Sequence, residues 1–132
     1  MILLTVDEII GLHEKLVCAT GGSDGLRDRG LLESAVYSAA ASFGDMELYP
    51  SVEEKAARLA FSLIRNHAFV DGNKRIGIFV MLMTLKLNGI RLCYTQAELT
   101  ALGLDAASGN AEYEDILRWI RTHTDPNLTS AS

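Results

Sequence analysis

Three times along this chain a hydroxyl residue is followed three positions later by a glutamate: Thr5 and Glu8, Ser51 and Glu54, Thr95 and Glu98. That spacing lets the hydroxyl accept from the backbone N–H of the third helical residue while the carboxylate reaches back to the cap, so each pair predicts a helix start. Apolar residues then recur at helical spacing, with Val6, Ile9, Ile10, Leu12, Leu16 and Val17 after the first box and Ala56, Leu59, Ala60, Leu63 and Ile64 after the second. Gly21 and Gly22 stop the first helix, and Asp28 is the expected N-cap of another over about 29–41. A strongly apolar helix is expected over 73–87, halted by Asn88-Gly89, and a last one over roughly 111–122. The irregular stretch 42–50, with Gly44, Tyr49 and Pro50, suits a loop or a small hairpin, and 90–94 a short extended piece. About six helices and no convincing sheet predict an all-α, single-domain bundle over 1–124, followed by a frayed tail over 125–132.

Composition narrows the function classes. A chain of 132 residues, 48% hydrophobic and 22% charged, can bury one core. Its net charge of -5 argues against broad nucleic-acid binding, which depends on Lys and Arg neutralising phosphates. Cys18 and Cys93 lie far apart without metal-type spacing, so a reducing cytoplasm is expected. The N-terminus lacks a basic flank and reads as no signal peptide. The longest apolar run, 76–85, is about half of the ~20 residues that a membrane span needs, and a buried central helix explains it.

Chemistry concentrates in residues 67–77, HAFVDGNKRIG, between two apolar helices. His67, Asp71, Asn73, Lys74 and Arg75 fall within nine positions, and Gly72 removes a side chain where the next helix begins. A helix start presents unpaired N–H groups and positive dipole, and so attracts anions. Lys74 and Arg75 on its first turn add full charges suited to phosphate oxygens. Asp71 beside a phosphate site makes sense as a magnesium ligand. Histidine exchanges protons near neutrality, which suits His67 to general base catalysis. These elements together point to phosphoryl or nucleotidyl transfer, a reaction governed by positioning and charge neutralisation. Each residue alone has an ordinary structural reading, a capping histidine or a solvated basic pair. The combination at this spacing outweighs them.

The segment resembles the motif of the Fic/Doc family, His-x-Phe-x-Asp/Glu-Gly/Ala-Asn-Gly/Lys-Arg. Gly25-Leu26-Arg27-Asp28 and Gly30-Leu31-Leu32-Glu33-Ser34-Ala35 resemble the N-terminal part of its death-on-curing (Doc) branch, toxins of type II toxin–antitoxin systems. The similarity covers nearly the whole chain. It implies ATP and Mg2+ as cofactors, His67 as the base for an incoming hydroxyl, and Asp71 as the residue that binds magnesium or orients the acceptor. It further implies Gly72, Asn73, Lys74 and Arg75 as phosphate contacts. Fic proteins that transfer AMP typically have Gly where this chain has Lys74. Doc toxins have Lys there and resemble kinases that pass the γ-phosphate to elongation factor Tu, arresting growth. Lys74 therefore favours a kinase over an AMP transferase. Gly72 stands where many Doc proteins have Ala, and Gly is the commoner choice in AMP transferases. A catalytically idle binding module is the alternative from another class.

The resemblance also bears on control. Many Fic enzymes carry an inhibitory helix of the form Ser/Thr-x-x-x-Glu-Gly/Asn, and the nearest match here, Ser108 to Glu112, is followed by Tyr113. Inhibition in trans by a Phd-like antitoxin is the resulting expectation, with no membrane and no direct nucleic-acid partner. Residues 43–50 would correspond to the family's target-docking flap, with an ordinary connecting loop as the alternative. Arg65 is a further site candidate, or a surface residue. His13, beside Glu14 and Lys15, reads as part of a solvated face, and His123 as a cation at a helix C-terminus. Phe69, Met81, Met83 and Trp119 read as packing residues.

Overall fold

The computed structural model describes residues 1–125. They form six helices, α1 (Val6–Thr20), α2 (Arg29–Ala39), α3 (Val52–Asn66), α4 (Asn73–Leu87), α5 (Gln96–Ser108) and α6 (Tyr113–His123). Between α2 and α3 lies a small antiparallel hairpin, β1 (Ser42–Phe43) and β2 (Met46–Glu47), with Ser42 opposite Glu47 and Phe43 opposite Met46. The all-α architecture expected from the periodicity is the observed one. All three capping boxes form as read, on α1, α3 and α5, and the Asp28 side chain accepts from Leu31 N–H to cap α2.

Helices α3 and α4 make the spine of the bundle. They approach closely at Gly77, where an added Cβ would stand 2.6 Å from Ile64 Cγ1 and 3.2 Å from the Ala60 carbonyl. One core cluster fills the side toward α1 and α2, with Ile9, Leu32, Leu63, Phe69, Ile76 and Val80. A second fills the side toward α5 and α6, with Ala60, Ile64, Met81, Leu102, Ile116 and Ile120. Each shared helix is apolar on two faces, which is why the 76–85 run is nearly continuous. No helix among the described residues is long and apolar enough to cross a membrane.

The segment 90–94, expected as a short extended piece, forms no strand. It pairs with the end of α6 through an isolated bridge between Leu92 and Thr124, supported by Cys93 N–H to the His123 carbonyl at 2.7 Å and Asp125 N–H to the Arg91 carbonyl at 3.0 Å. The expected frayed tail otherwise lies outside the described residues.

Candidate active site

The loop between α3 and α4 is built by a close exchange of backbone bonds with residues 23–28. Arg27 and Asp28 N–H groups both donate to the Ala68 carbonyl, at 2.8 and 2.9 Å, and Val70 N–H donates to the Gly25 carbonyl at 3.0 Å. Leu26 and Phe69 complete an antiparallel bridge. This strap, residues 23–28 with the GLRD stretch noted in the sequence, runs alongside the loop and pairs its Ala68 carbonyl and Val70 N–H. The loop thereby gains the rigidity of a short ribbon.

His67 is the C-cap of α3, at φ 54° and ψ 49°. It is the one non-glycine residue with positive φ among the described residues, a conformation that side chains avoid unless the surroundings impose it. Arg27 imposes it here: its Nε donates to the His67 carbonyl at 2.7 Å and its guanidinium also reaches the Asn66 carbonyl at 3.4 Å, covering the end of α3. The imidazole itself is exposed to solvent.

Asp71 turns its carboxylate back on the loop. Oδ2 accepts from Ser23 N–H at 3.1 Å and Oδ1 from Gly72 N–H at 2.8 Å, with the Arg75 guanidinium 3.7 Å away. The Ser23 amide first, then that of Gly72, hold this carboxyl below the usual aspartate range against the opposing effect of burial, and Arg75 adds to it. Gly72, at φ 77° and ψ 19°, is the N-cap of α4 and supplies no side-chain cap, whereas Thr5, Asp28, Ser51 and Thr95 cap their own helices. The first turn of α4 thus keeps backbone N–H groups without a side-chain cap, and no acidic residue lies among them.

The three residues that follow divide the work differently from the sequence expectation. Asn73 is buried, and its side chain donates to the Phe69 carbonyl and accepts from Phe69 N–H, both at 3.0 Å. Its amide closes the loop on itself, so any anion contact at this position falls to the backbone. Arg75 donates through Nη1 to Thr20 Oγ1 at 2.6 Å and to the Gly21 carbonyl at 2.7 Å, binding the end of α1 to the start of α4. Lys74 is exposed, its stem lying toward α5, where a Cβ on Gly103 would stand 3.5 Å from Lys74 Cγ and Cδ. It borders a groove of about 380 Å³ between α1, α4 and α5, with Arg75, Ile78, Phe79, Leu82 and Leu99 among the lining residues.

Two sequence readings are corrected. Arg65 does not turn to this site: it donates to the Ala106 carbonyl at 2.8 Å and the Ala111 carbonyl at 3.2 Å, pairs with Glu112, and lies over the Phe61 ring. Its fork is consumed by carbonyls left open at the α5–α6 junction. His13 is not on a solvated face. It is 1% exposed, stacked on Phe69 with centroids 3.8 Å apart, and its Nε2 lies 2.6 Å from the Asp71 carbonyl. Polar neighbours in the sequence misled the reading, yet the register was available: Ile9, His13 and Val17 are four apart, and all three are buried. Arg27 and Ser23 were also missed as supports of the loop, since bonds across 39 to 48 positions leave no local trace. His123 stands in the last turn of α6: Nδ1 faces the Trp119 carbonyl at 2.7 Å, and Nε2 faces Glu98 at 2.7 Å.

Among known proteins, the model of the Fic/DOC family matches residues 3–85. The chain is 45% identical over 74 residues to Toxin Doc of Mycolicibacterium smegmatis, a match covering 56% of this chain and 57% of that protein. It is 28% identical over 118 residues to Protein kinase doc of Escherichia phage P1, covering 89% of this chain and 92% of that one. The match to the mycobacterial protein thus spans little more than half of its length.

Proposed function

This chain belongs to the Fic/DOC family, and on that premise we propose that it is a Doc-like toxin that transfers the γ-phosphate of ATP to a hydroxyl of a translation factor, elongation factor Tu by resemblance. The observation that carries this reading is the open start of α4, which has no side-chain cap and bears Lys74 and Arg75 on its first turn, with the Asp71 carboxylate beside Arg75 and the exposed His67 at the other end of the same loop. The names of the two relatives, a toxin and a protein kinase, agree with it.

In this reading the phosphate chain lies against the α4 N–H groups, with Lys74 adding positive charge. His67 takes the proton of the acceptor hydroxyl as its oxygen bonds to the γ-phosphorus and the bond to the bridging oxygen breaks, releasing ADP. Asp71 fits a role shared with magnesium: each carboxylate oxygen accepts one backbone N–H and keeps a lone pair, and the side chain is 48% exposed. Magnesium is usually held by one or two carboxylates together with substrate phosphates, so Asp71 would share the ion with the nucleotide. Magnesium when bound supplies charge neutralisation between the phosphates.

Control in trans by a Phd-like antitoxin is part of the proposal. The Ser108-to-Glu112 spacing that approaches the self-inhibitory pattern is split by a helix end at Gly109, with Glu112 paired to Arg65. The two residues therefore do not share a helix.

Incubating the protein with elongation factor Tu and ATP labelled at either the α or the γ position tests the reading. Transfer of γ label, lost in His67→Ala and Asp71→Ala, is expected; retention of α label overturns it in favour of AMP transfer. Growth arrest on expression that persists in His67→Ala would point to a binding module.

A further inference from the structure

We propose that His13, on α1 and distant in sequence from the motif, is a positioning residue that holds the 67–72 loop in its working shape. The inference rests on the transfer reading above for its consequence, but the hold itself is structural. Three observations meet at this ring. It is 1% exposed and nearly parallel to Phe69, at 14°, with centroids 3.8 Å apart, so it packs flat on the loop's apolar anchor. Its Nε2 is 2.6 Å from the Asp71 carbonyl. A carbonyl only accepts, so the ring carries hydrogen on Nε2 and donates to the residue immediately before the α4 cap. Its Nδ1 faces Asp24 of the strap at 3.7 Å.

One side chain therefore touches the loop twice and the strap once, all from a helix that belongs to neither. Gly72 takes part in the fit, because a Cβ there would stand 3.4 Å from His13 Nε2. The Asp71 carbonyl sets the peptide plane that leads into Gly72 and the open N–H groups of α4. Without the donor, that plane is free to rotate, and the anion-binding amides and the Asp71 carboxylate move with it. An apolar core residue would supply the packing but not the orientation.

The variants separate these effects. His13→Phe keeps a ring on Phe69 and removes the donor; His13→Gln keeps an N–H at the place of Nε2 and removes the ring. Amide hydrogen exchange on the substrate-free protein reads the loop directly, and the labelled-ATP assay reads the consequence. For His13→Phe we expect faster exchange at residues 70–73 and a kcat lower by about 10- to 100-fold, the scale of a small misplacement. KM for ATP should change less than about threefold, and His13→Gln should recover most of both losses. Unchanged exchange at 70–73 in His13→Phe overturns the proposal, as does a full kcat in that variant. Equal loss in both variants, with exchange raised uniformly along the chain, overturns it in favour of a purely packing role. If the wild-type protein transfers no label, the transfer reading fails, and the exchange comparison still decides whether His13 holds the loop.

Discussion

Asn73 and Lys74 are adjacent and belong to the same motif, yet they act in opposite directions. Asn73 faces inward and satisfies both backbone groups of Phe69. Its replacement by Ala leaves a buried N–H and carbonyl without partners, a loss of about 1–3 kcal/mol for such groups. We expect Asn73→Ala to lower the urea midpoint accordingly and to stop transfer, while a midpoint equal to wild type would show that the loop closes by other means. Lys74 faces outward, and its replacement by Ala should leave the midpoint almost unmoved. Lys74→Gly is expected to reduce γ-phosphate transfer by about tenfold or more, the equivalent of one charge-assisted contact, with α-labelled product appearing in its place. Undiminished γ transfer would remove Lys74 as the residue that selects the reaction.

At the scale of elements, the α3–α4 contact and the hairpin have different physics. Gly77 permits the two helices to touch backbone to side chain. Gly77→Val must push Ile64 or the Ala60 turn aside, and overpacking of this kind costs about 1–3 kcal/mol. Thermal or urea unfolding measures it. Because α4 begins at the site, we also expect the variant to weaken transfer. The hairpin is held by Lys55 of α3, which is 3% exposed and donates to Glu47 at 3.0 Å and to the Ala39 carbonyl at 3.3 Å. Phe43 and Met46, by contrast, lie largely in solvent. Removing Glu47 leaves a buried ammonium with only the carbonyl, whereas Lys55→Met removes the charge and keeps the stem. Glu47→Ala should therefore be the more destabilising change; the reverse order in urea titrations would show that water reaches Lys55.

For the molecule as a whole, acid sensitivity follows from two carboxylates. The His123 hydrogen bond first, then the Thr95 amide and hydroxyl, hold Glu98 at about 2 against an ordinary 4.5, and Asp71 is lowered in the same direction. A depressed carboxyl binds protons less readily in the folded chain than in the unfolded one. Its contribution is therefore complete above pH about 4.5 and disappears as the pH falls toward 2. The urea midpoint should drop across that window, less steeply in Glu98→Gln; identical slopes would show that the α5–α6 contact does not sense protons. This contact joins the third capping box to the end of α6.

Helix starts, helix periods and the residues of the 67–77 motif are local properties, and they could be read from the sequence alone. Capping needs partners three residues apart, and the motif needs residues within one loop, so Thr5, Ser51, Thr95, His67, Asp71 and Lys74 were all legible. Tertiary structure decided which polar groups face the site and which build it. Asn73 turned inward because two Phe69 backbone groups had no other partner, and Arg65 turned away because the α5–α6 junction left carbonyls open. His13 changed from a surface residue to a support of the loop because α1 packs against a segment 58 positions further on. The 67–77 segment carries the residues proposed for transfer, but its shape is set by Arg27, Ser23 and His13, which only folding brings to it.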